Sequence, residues 1–355
     1  MLPYFTEQFG NASSKSHTYG LIAEDVVEAS RESVARLIGA RPEEIIFTSG
    51  ATESLNLAIR GSIPSAASAR ILTFATEHSA VLDTVRNLAE HGHDVSILPT
   101  DEFGLPDKVV LESALTKPAD LLVLMLANNE TGTVNPVEEV SRICHRMGVR
   151  VVCDATQAVG KIPVDVKTLG ADLVAFSGHK IYGPKGVGAL WIRSQSPALK
   201  LNAVQFGGGH ERRLRSGTLN VPGIVGLGVA CRIALAEMTQ DSVRMTGLRD
   251  HLAAELLKFP GVQRNGHPKL CLPQTLSMTF NWPDGHRILR KLAPVIAASS
   301  GSACSSATTS PSHVLMAMGL TEKEAFSTIR FSLGKFTSEK EVQTALEALS
   351  RLAPV

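Results

Sequence analysis

The sequence has 355 residues, with 35 Lys and Arg against 34 Asp and Glu for a net charge of +1. A chain this long can bury a large core and divide into two domains, and so even a balance provides no field to gather nucleic acid or an anionic membrane surface. Hydrophobic residues make up 44% and charged residues 19%, the proportions of a soluble globular protein, and five cysteines without a CxxC pair exclude a disulfide framework and point to a reducing compartment.

Residues 1–10 hold no apolar secretory core, so the expected setting is cytoplasmic, or an organelle matrix if a pre-sequence has been removed. Ile22, Val26, Val34, Leu37 and Ile38 recur at helical spacing, and Gly39 closes that helix. Strands and helices then alternate. A strand over 44–48 leads through the turn Ser49-Gly50-Ala51-Thr52 into a helix carrying 53–60; a strand over 70–75 precedes a helix over 79–91. A strand over 94–99, a helix over 107–115, a strand over 121–127, a helix over 137–147 and strands over 149–154 and 172–176 continue the pattern. This rhythm predicts an α/β fold, a mostly parallel sheet flanked by helices.

The rhythm breaks after Thr218. The stretch 223–257 is mostly helical; its most apolar part, 223–238, is interrupted by Arg232, falls short of the ~18 residues of a membrane span and is read as a buried helix. Apolar runs follow at 276–280, 289–295 and 329–333, with a Gly/Ser-rich loop at 299–306 and an amphipathic helix over 338–352. The predicted division is a large domain over 1–239 and a smaller α+β domain over 240–355. A Ser/Ala-rich loop at 62–69 and a local basic cluster at 210–215 stand apart from this plan.

In parallel α/β sheets the ligand site lies beyond the carboxyl ends of the strands, and the informative polar residues fall there. His78 follows ILTFATE, Asn129 follows LLVLMLAN, Asp154 and Gln157 lie in VRVVCDATQ, and Lys180 follows DLVAFSGH. Lys180 is placed in a tight turn between two apolar strands, where a lysine can act as an amine nucleophile. With Asp154 it makes the pattern of a pyridoxal 5′-phosphate site: a lysine to hold the cofactor's aldehyde and a carboxylate to keep its ring nitrogen protonated. Ser49-Gly50-Ala51-Thr52-Glu53 supplies a phosphate anchor at a helix N-terminus. His78 is placed to stack on the ring and move protons, and His179 to contact phosphate. Cys304, in SSGSACSSATTSPS, is the nucleophile candidate, whereas Cys144, Cys153, Cys231 and Cys271 are read as inert core. Arg330 in STIRFSLG fits an α-carboxylate.

The motifs SGATES (49–54), TEHSAVLDT (76–84), NNETG (128–132), DATQAVGK (154–161), SGHKIYGPKGVGAL (177–190), GGGHERRLRSGTLN (207–220), SGSACSS (300–306) and IRFSLG (329–334) run through nearly the whole chain. Together they resemble a cysteine desulfurase of the NifS/IscS branch of the class V aminotransferase-like, fold-type I pyridoxal enzymes. The resemblance implies a homodimer with sites at the subunit interface, L-cysteine as substrate, and delivery of sulfur to an acceptor protein, an iron–sulfur scaffold or a thiolation relay. It implies Lys180 as the cofactor-holding lysine, Asp154 as ring-nitrogen partner, and Asn129 and Gln157 on the phenolic oxygen, with Asn129 also near substrate. Ala51, Thr52, Ser177 and His179 would hold the phosphate with Thr218 of the other subunit; His78 would stack on the ring, Cys304 would form a persulfide, and Arg330 would bind the substrate carboxylate.

Against that family the sequence starts late, at LPYFTEQFGNASS, without the usual opening strand and DxxATTP-type segment. It ends early, and it carries Ala12 for a usual proline and Arg213 where glycine is common. A selenocysteine lyase or related cysteine lyase is the alternative within the class, and an inactive dimeric scaffold lacking the N-terminal segment is the alternative outside it.

Overall fold

The computed structural model describes residues 1–63, 68–194, 199–300 and 310–354. Cys304 and most of the loop expected at 299–306 lie outside the described residues, as does the middle of the Ser/Ala-rich loop. One sheet contains β1 Ile45–Thr48, β2 Arg70–Phe74, β3 Asp94–Leu98, β4 Leu121–Met125, β5 Arg150–Asp154, β6 Leu173–Ser177 and β7 Gly188–Ile192, in the order β1-β7-β6-β5-β4-β2-β3. From β3 through β6 the pairs are parallel, as the βα rhythm predicts; β7 is antiparallel to both β6 and β1. The connection 178–187 between β6 and β7 is too short for the helical crossover that a parallel neighbour needs.

The strand sequences are continuous apolar runs because both faces are covered. In β4 the pleat sends Leu122 and Leu124 into one core and Leu121 and Val123 into the other. The helices Thr18–Leu37 and Val137–Arg146 contribute to the first core, and Ala51–Gly61 and Ser79–Glu90 to the second.

The helix Val221–Leu256 is the long joint of the molecule. Asn220 caps it by accepting the Gly223 N–H at 3.1 Å, and Pro222 stands in its first turn. Its N-terminal half places Val221, Ile224, Leu227 and Cys231 in the first core; its C-terminal half places Leu248, Leu252 and Leu256 in a third, distinct core. That core also takes residues from the helix Glu339–Ser350 and from a small antiparallel sheet of β8 Val262–Asn265, β9 Thr275–Phe280 and β10 Thr328–Ser332, in the order β10-β9-β8. The division expected at 239/240 falls inside this unbroken helix, between Cys231 of one core and Leu248 of the other.

Two expectations are corrected here. The stretch 223–238 is not a fully buried helix: Thr18–Leu37 covers one side, and Ile233 and Leu235 are 46% and 44% exposed. By length and composition the helix is also apolar enough to cross a membrane, with 39% of its most apolar window buried in this chain. Strand β8 escapes a reading of sequence because VQRN, with Gln263 exposed and Arg264 half-buried, is too short and polar to show a period of two.

Candidate active site

Each strand end delivers one part of the site. Strand β1 ends in a turn where Gly50 has φ +151 and packs on Gly188; a Cβ on Gly188 would meet Gly50 Cα at 2.7 Å and Phe176 O at 2.6 Å, so only glycine permits that approach. The helix Ala51–Gly61 starts there, and its first-turn N–H groups have no intrahelical acceptors. After β2, His78 is the N-cap of Ser79–Glu90, its Nδ1 accepting the Ala80 N–H at 3.0 Å.

After β4, the Asn128 amide shapes the turn that presents Asn129, donating to Thr76 O at 3.0 Å and accepting the Glu130 N–H at 2.8 Å. Asp154 is the last residue of β5, and its Oδ1 accepts the Thr156 N–H at 2.9 Å. Ser177 closes β6, with Oγ 2.7 Å from His179 Nδ1, and Lys180 follows in the 3₁₀ turn Gly178–Ile181. From the small sheet, Arg330 of β10 donates through Nη1 to Asn129 O at 2.8 Å.

These parts wall one cavity of about 870 Å³. It takes in Ala51, Thr52, Ser177 and His179 from the β1 and β6 ends, His78, Asn129, Asp154 and Gln157 from the β2, β4 and β5 ends, then Lys180, and Arg330 from the small sheet. Thr218 is exposed and does not line it. Lys180 is exposed rather than held between apolar walls, because the 3₁₀ turn lifts it off the end of β6. Glu130, Thr156 and His313 also line the cavity and were not singled out from the sequence. Glu130 was visible only as part of NNETG; His313 gave no signal, since tertiary packing alone brings it here, with Nε2 2.9 Å from Glu77 O. Ser312 beside it donates to Glu130 at 2.5 Å.

Burial dominates the electrostatics. It pushes Asp154 up, against the Thr156 hydrogen bond and the positive fields of His78 and Lys180. It pushes His78 down, with Asp154 opposing and Lys180 adding to the shift, and pushes His179 down together with Lys180 and Lys185. The thiols of Cys144 and Cys231 are pushed up by burial to about 12, and burial likewise raises Cys153 well above its ordinary value, which makes all three poor nucleophiles. Cys271 departs from the expected inert core: it sits half-buried in the loop before β9, bridged to Thr133, with Arg264 Nη2 at 3.2 Å from its Sγ. Among the described residues no cluster of His, Cys, Asp and Glu could hold a metal ion.

The walls fit a phosphorylated, ring-bearing ligand. Asn129 Oδ1 and Thr156 Oγ1 are buried without a hydrogen-bond partner, an arrangement that costs free energy unless a ligand supplies one. The N-terminus of Ala51–Gly61 offers its free N–H groups to an anion. Asp154, disfavoured as an anion by burial, is stabilised by any cationic N–H donor placed against it.

The chain is similar to known proteins along nearly its whole length. A family model described as aminotransferase class-V matches residues 1–345. The chain is 47% identical over 349 residues to the cysteine desulfurase IscS of Anaeromyxobacter sp. (strain K), covering 98% of this chain and 86% of that protein. It is 46% identical over 350 residues to the cysteine desulfurase of Homo sapiens, covering 98% and 76% respectively. A solved NifS-like protein superposes with a TM-score of 0.91 at 36% identity, covering 99% of this chain and 93% of that one.

Proposed function

The chain belongs to the class V aminotransferase family, and on that premise we infer that it is a cysteine desulfurase, converting L-cysteine to L-alanine and handing the sulfur to an acceptor protein. The observation that carries the reading is the convergence of Lys180, Asp154 and Arg330 on one cavity. Enzymes of this family use pyridoxal 5′-phosphate, which when bound supplies an aldehyde for an amine and a protonated ring that withdraws electrons from the substrate.

In this reading Lys180 holds the aldehyde, and Asp154 keeps the ring nitrogen protonated. His78 stacks on the ring. Asn129 and Gln157 bond the phenolic oxygen, an assignment supported by the unpartnered Asn129 Oδ1. The N–H groups of Ala51 and Thr52, with Ser177 and His179, hold the phosphate, and Thr218 reaches the partner subunit's phosphate. Exposure of Thr218, and of Phe206 at 84% on the same segment, supports such a homodimer.

Arg330 binds the substrate carboxylate through paired hydrogen bonds. Lys180, as a free amine, takes the Cα proton, and His78 Nε2 exchanges protons with the substrate. The Cys304 thiolate attacks the substrate sulfur; an S–S bond forms as the C–S bond breaks, and one proton delivered to Cβ and one returned to Cα leave alanine. The persulfide then passes to an acceptor in iron–sulfur cluster assembly or a thiolation relay. We place the protein in the cytoplasm and its domain division along the helix Val221–Leu256.

The test is to incubate the purified, cofactor-loaded chain with L-cysteine and measure alanine and enzyme-bound sulfane sulfur. The expected result is one sulfur per alanine in the first turnover, with both lost in Lys180→Ala. A Cys304→Ser variant that released alanine at an unchanged rate would refute the role of that thiol.

A further inference from the structure

The basic cluster 210–215 has a structural use. Glu211, Arg212 and Arg213 take consecutive positive φ values of 44, 57 and 65, a conformation L-residues adopt only when surrounding contacts hold them there. Glu211 accepts two hydrogen bonds from Arg31, at 2.9 and 2.8 Å, and the Phe47 N–H at 2.6 Å, while Arg212 Nη2 donates to Ile45 O at 2.9 Å. Side chains therefore cap the open edge of β1, the strand that leads into the turn 49–52.

Two residues further on, Arg215 Nε donates to Glu53 Oε1 at 2.6 Å. Glu53 stands in the first turn of Ala51–Gly61, lines the cavity, and accepts the Ser49 N–H through Oε2 at 2.7 Å. Burial pushes its pKa up, but the hydrogen bonds from Arg215 and Ser49 outweigh that and hold it below the usual carboxylate range. A charged carboxylate thus sits at the helix end that would receive a phosphate dianion. Two anions there repel unless one is neutralised.

We propose that Arg215 is a positioning residue that sets the site's affinity for phosphate by cancelling the charge of Glu53 at the N-terminus of the helix Ala51–Gly61. The proposal rests on the reading that the turn 49–52 holds the cofactor's phosphate. Glu53 keeps the Ser49 N–H occupied, which leaves the N–H groups of Ala51 and Thr52 for the ligand.

The full chain, stripped of cofactor, is titrated by fluorescence with pyridoxal 5′-phosphate and with pyridoxal, which lacks the phosphate. Arg215→Met weakens pyridoxal 5′-phosphate by about tenfold, the loss expected of an uncompensated charge in a half-buried site, and leaves pyridoxal binding unchanged. The double variant Arg215→Met with Glu53→Gln recovers most of that loss, and Arg215→Lys, which keeps the charge, binds close to wild type. Equal weakening of both probes, no weakening, or no recovery in the double variant overturns the proposal. Wild-type protein that binds neither probe overturns the cofactor reading beneath it instead.

Discussion

The Nδ1 atom of His78 accepts the backbone N–H of Ala80 at 3.0 Å, so one imidazole both caps a helix and faces the cavity. An accepting Nδ1 places the neutral ring's proton on Nε2, the atom through which this histidine exchanges protons with a ligand.

Replacing that imidazole separates its two duties. His78→Ala removes the cap and costs about 1 kcal/mol of stability, whereas His78→Asn retains a capping acceptor and costs less. The pH dependence differs as well. Burial first, and Lys180 and His313 with it, hold the folded pKa below 6.5. The unfolded chain therefore binds the proton first as pH falls, and stability declines from about pH 6.5 down to the folded pKa, then levels. Urea midpoints between pH 5 and 8 show this decline in wild type and its loss in His78→Asn.

Glu77 is fully buried beside Asp154, with Oε1 accepting the Met125 N–H at 2.7 Å and Oε2 without a partner. Burial raises its pKa well above 4.5, against the Met125 hydrogen bond and with the charge of Asp154. The sign is opposite to that of His78. The folded state keeps the proton longer, so stability is fully present below pH 4.5 and is lost as pH rises to the folded pKa. Glu77→Gln removes the charge and keeps the acceptor; it is expected to be more stable than wild type at pH 8 by about 1–3 kcal/mol, with the gap closing toward pH 5. Thermal melts at the two pH values measure the difference, and a wild type more stable at pH 8 contradicts the assignment.

The pair Arg31–Glu211 is buried on both sides, with 7% and 3% of the side chains exposed. Glu211→Ala leaves the Phe47 N–H without its acceptor and removes two hydrogen bonds from Arg31, which keeps Glu28 and Ile45 O as partners, and a loss of about 1–3 kcal/mol follows. Replacing both partners by Arg31→Met and Glu211→Leu recovers only part of that loss, because the half-satisfied guanidinium goes but the Phe47 N–H stays unpaired. Denaturant midpoints of the three variants decide it.

Arg213 has φ +65 and is exposed. Arg213→Gly relieves the left-handed backbone and raises stability by roughly 1 kcal/mol. Arg212→Gly, at φ +57, gains the same relief but loses the hydrogen bond to Ile45 O at 2.9 Å, so its gain is smaller. A shift in urea midpoint for Arg213→Gly that fails to exceed the one for Arg212→Gly contradicts this account.

Much of the fold was legible because its signals are local. Runs such as Leu121–Met125 and Leu173–Ser177, spaced by amphipathic helices, report a sheet covered on both faces without any knowledge of neighbours. Strand ends are equally local, which is why His78, Asn129, Asp154 and Lys180 could be named together. Val262–Asn265 was illegible because a short polar strand is defined by its partner β9. Cys271 is half-buried for a related reason: its leucine neighbours suggest burial, but how much of the side chain is covered depends on the elements packed around its loop.

The amino-acid sequence by itself determined the α/β alternation, the strand-end residues and the family motifs, since each depends on spacing within one stretch of chain. Only the tertiary structure decided what those stretches meet: that β10 brings Arg330 onto Asn129, that the cluster 210–215 grips β1 and Glu53, and that one helix, Val221–Leu256, serves two cores. These are contacts between residues far apart along the chain, and their free energy comes from desolvation and pairing of charge, which no local pattern encodes.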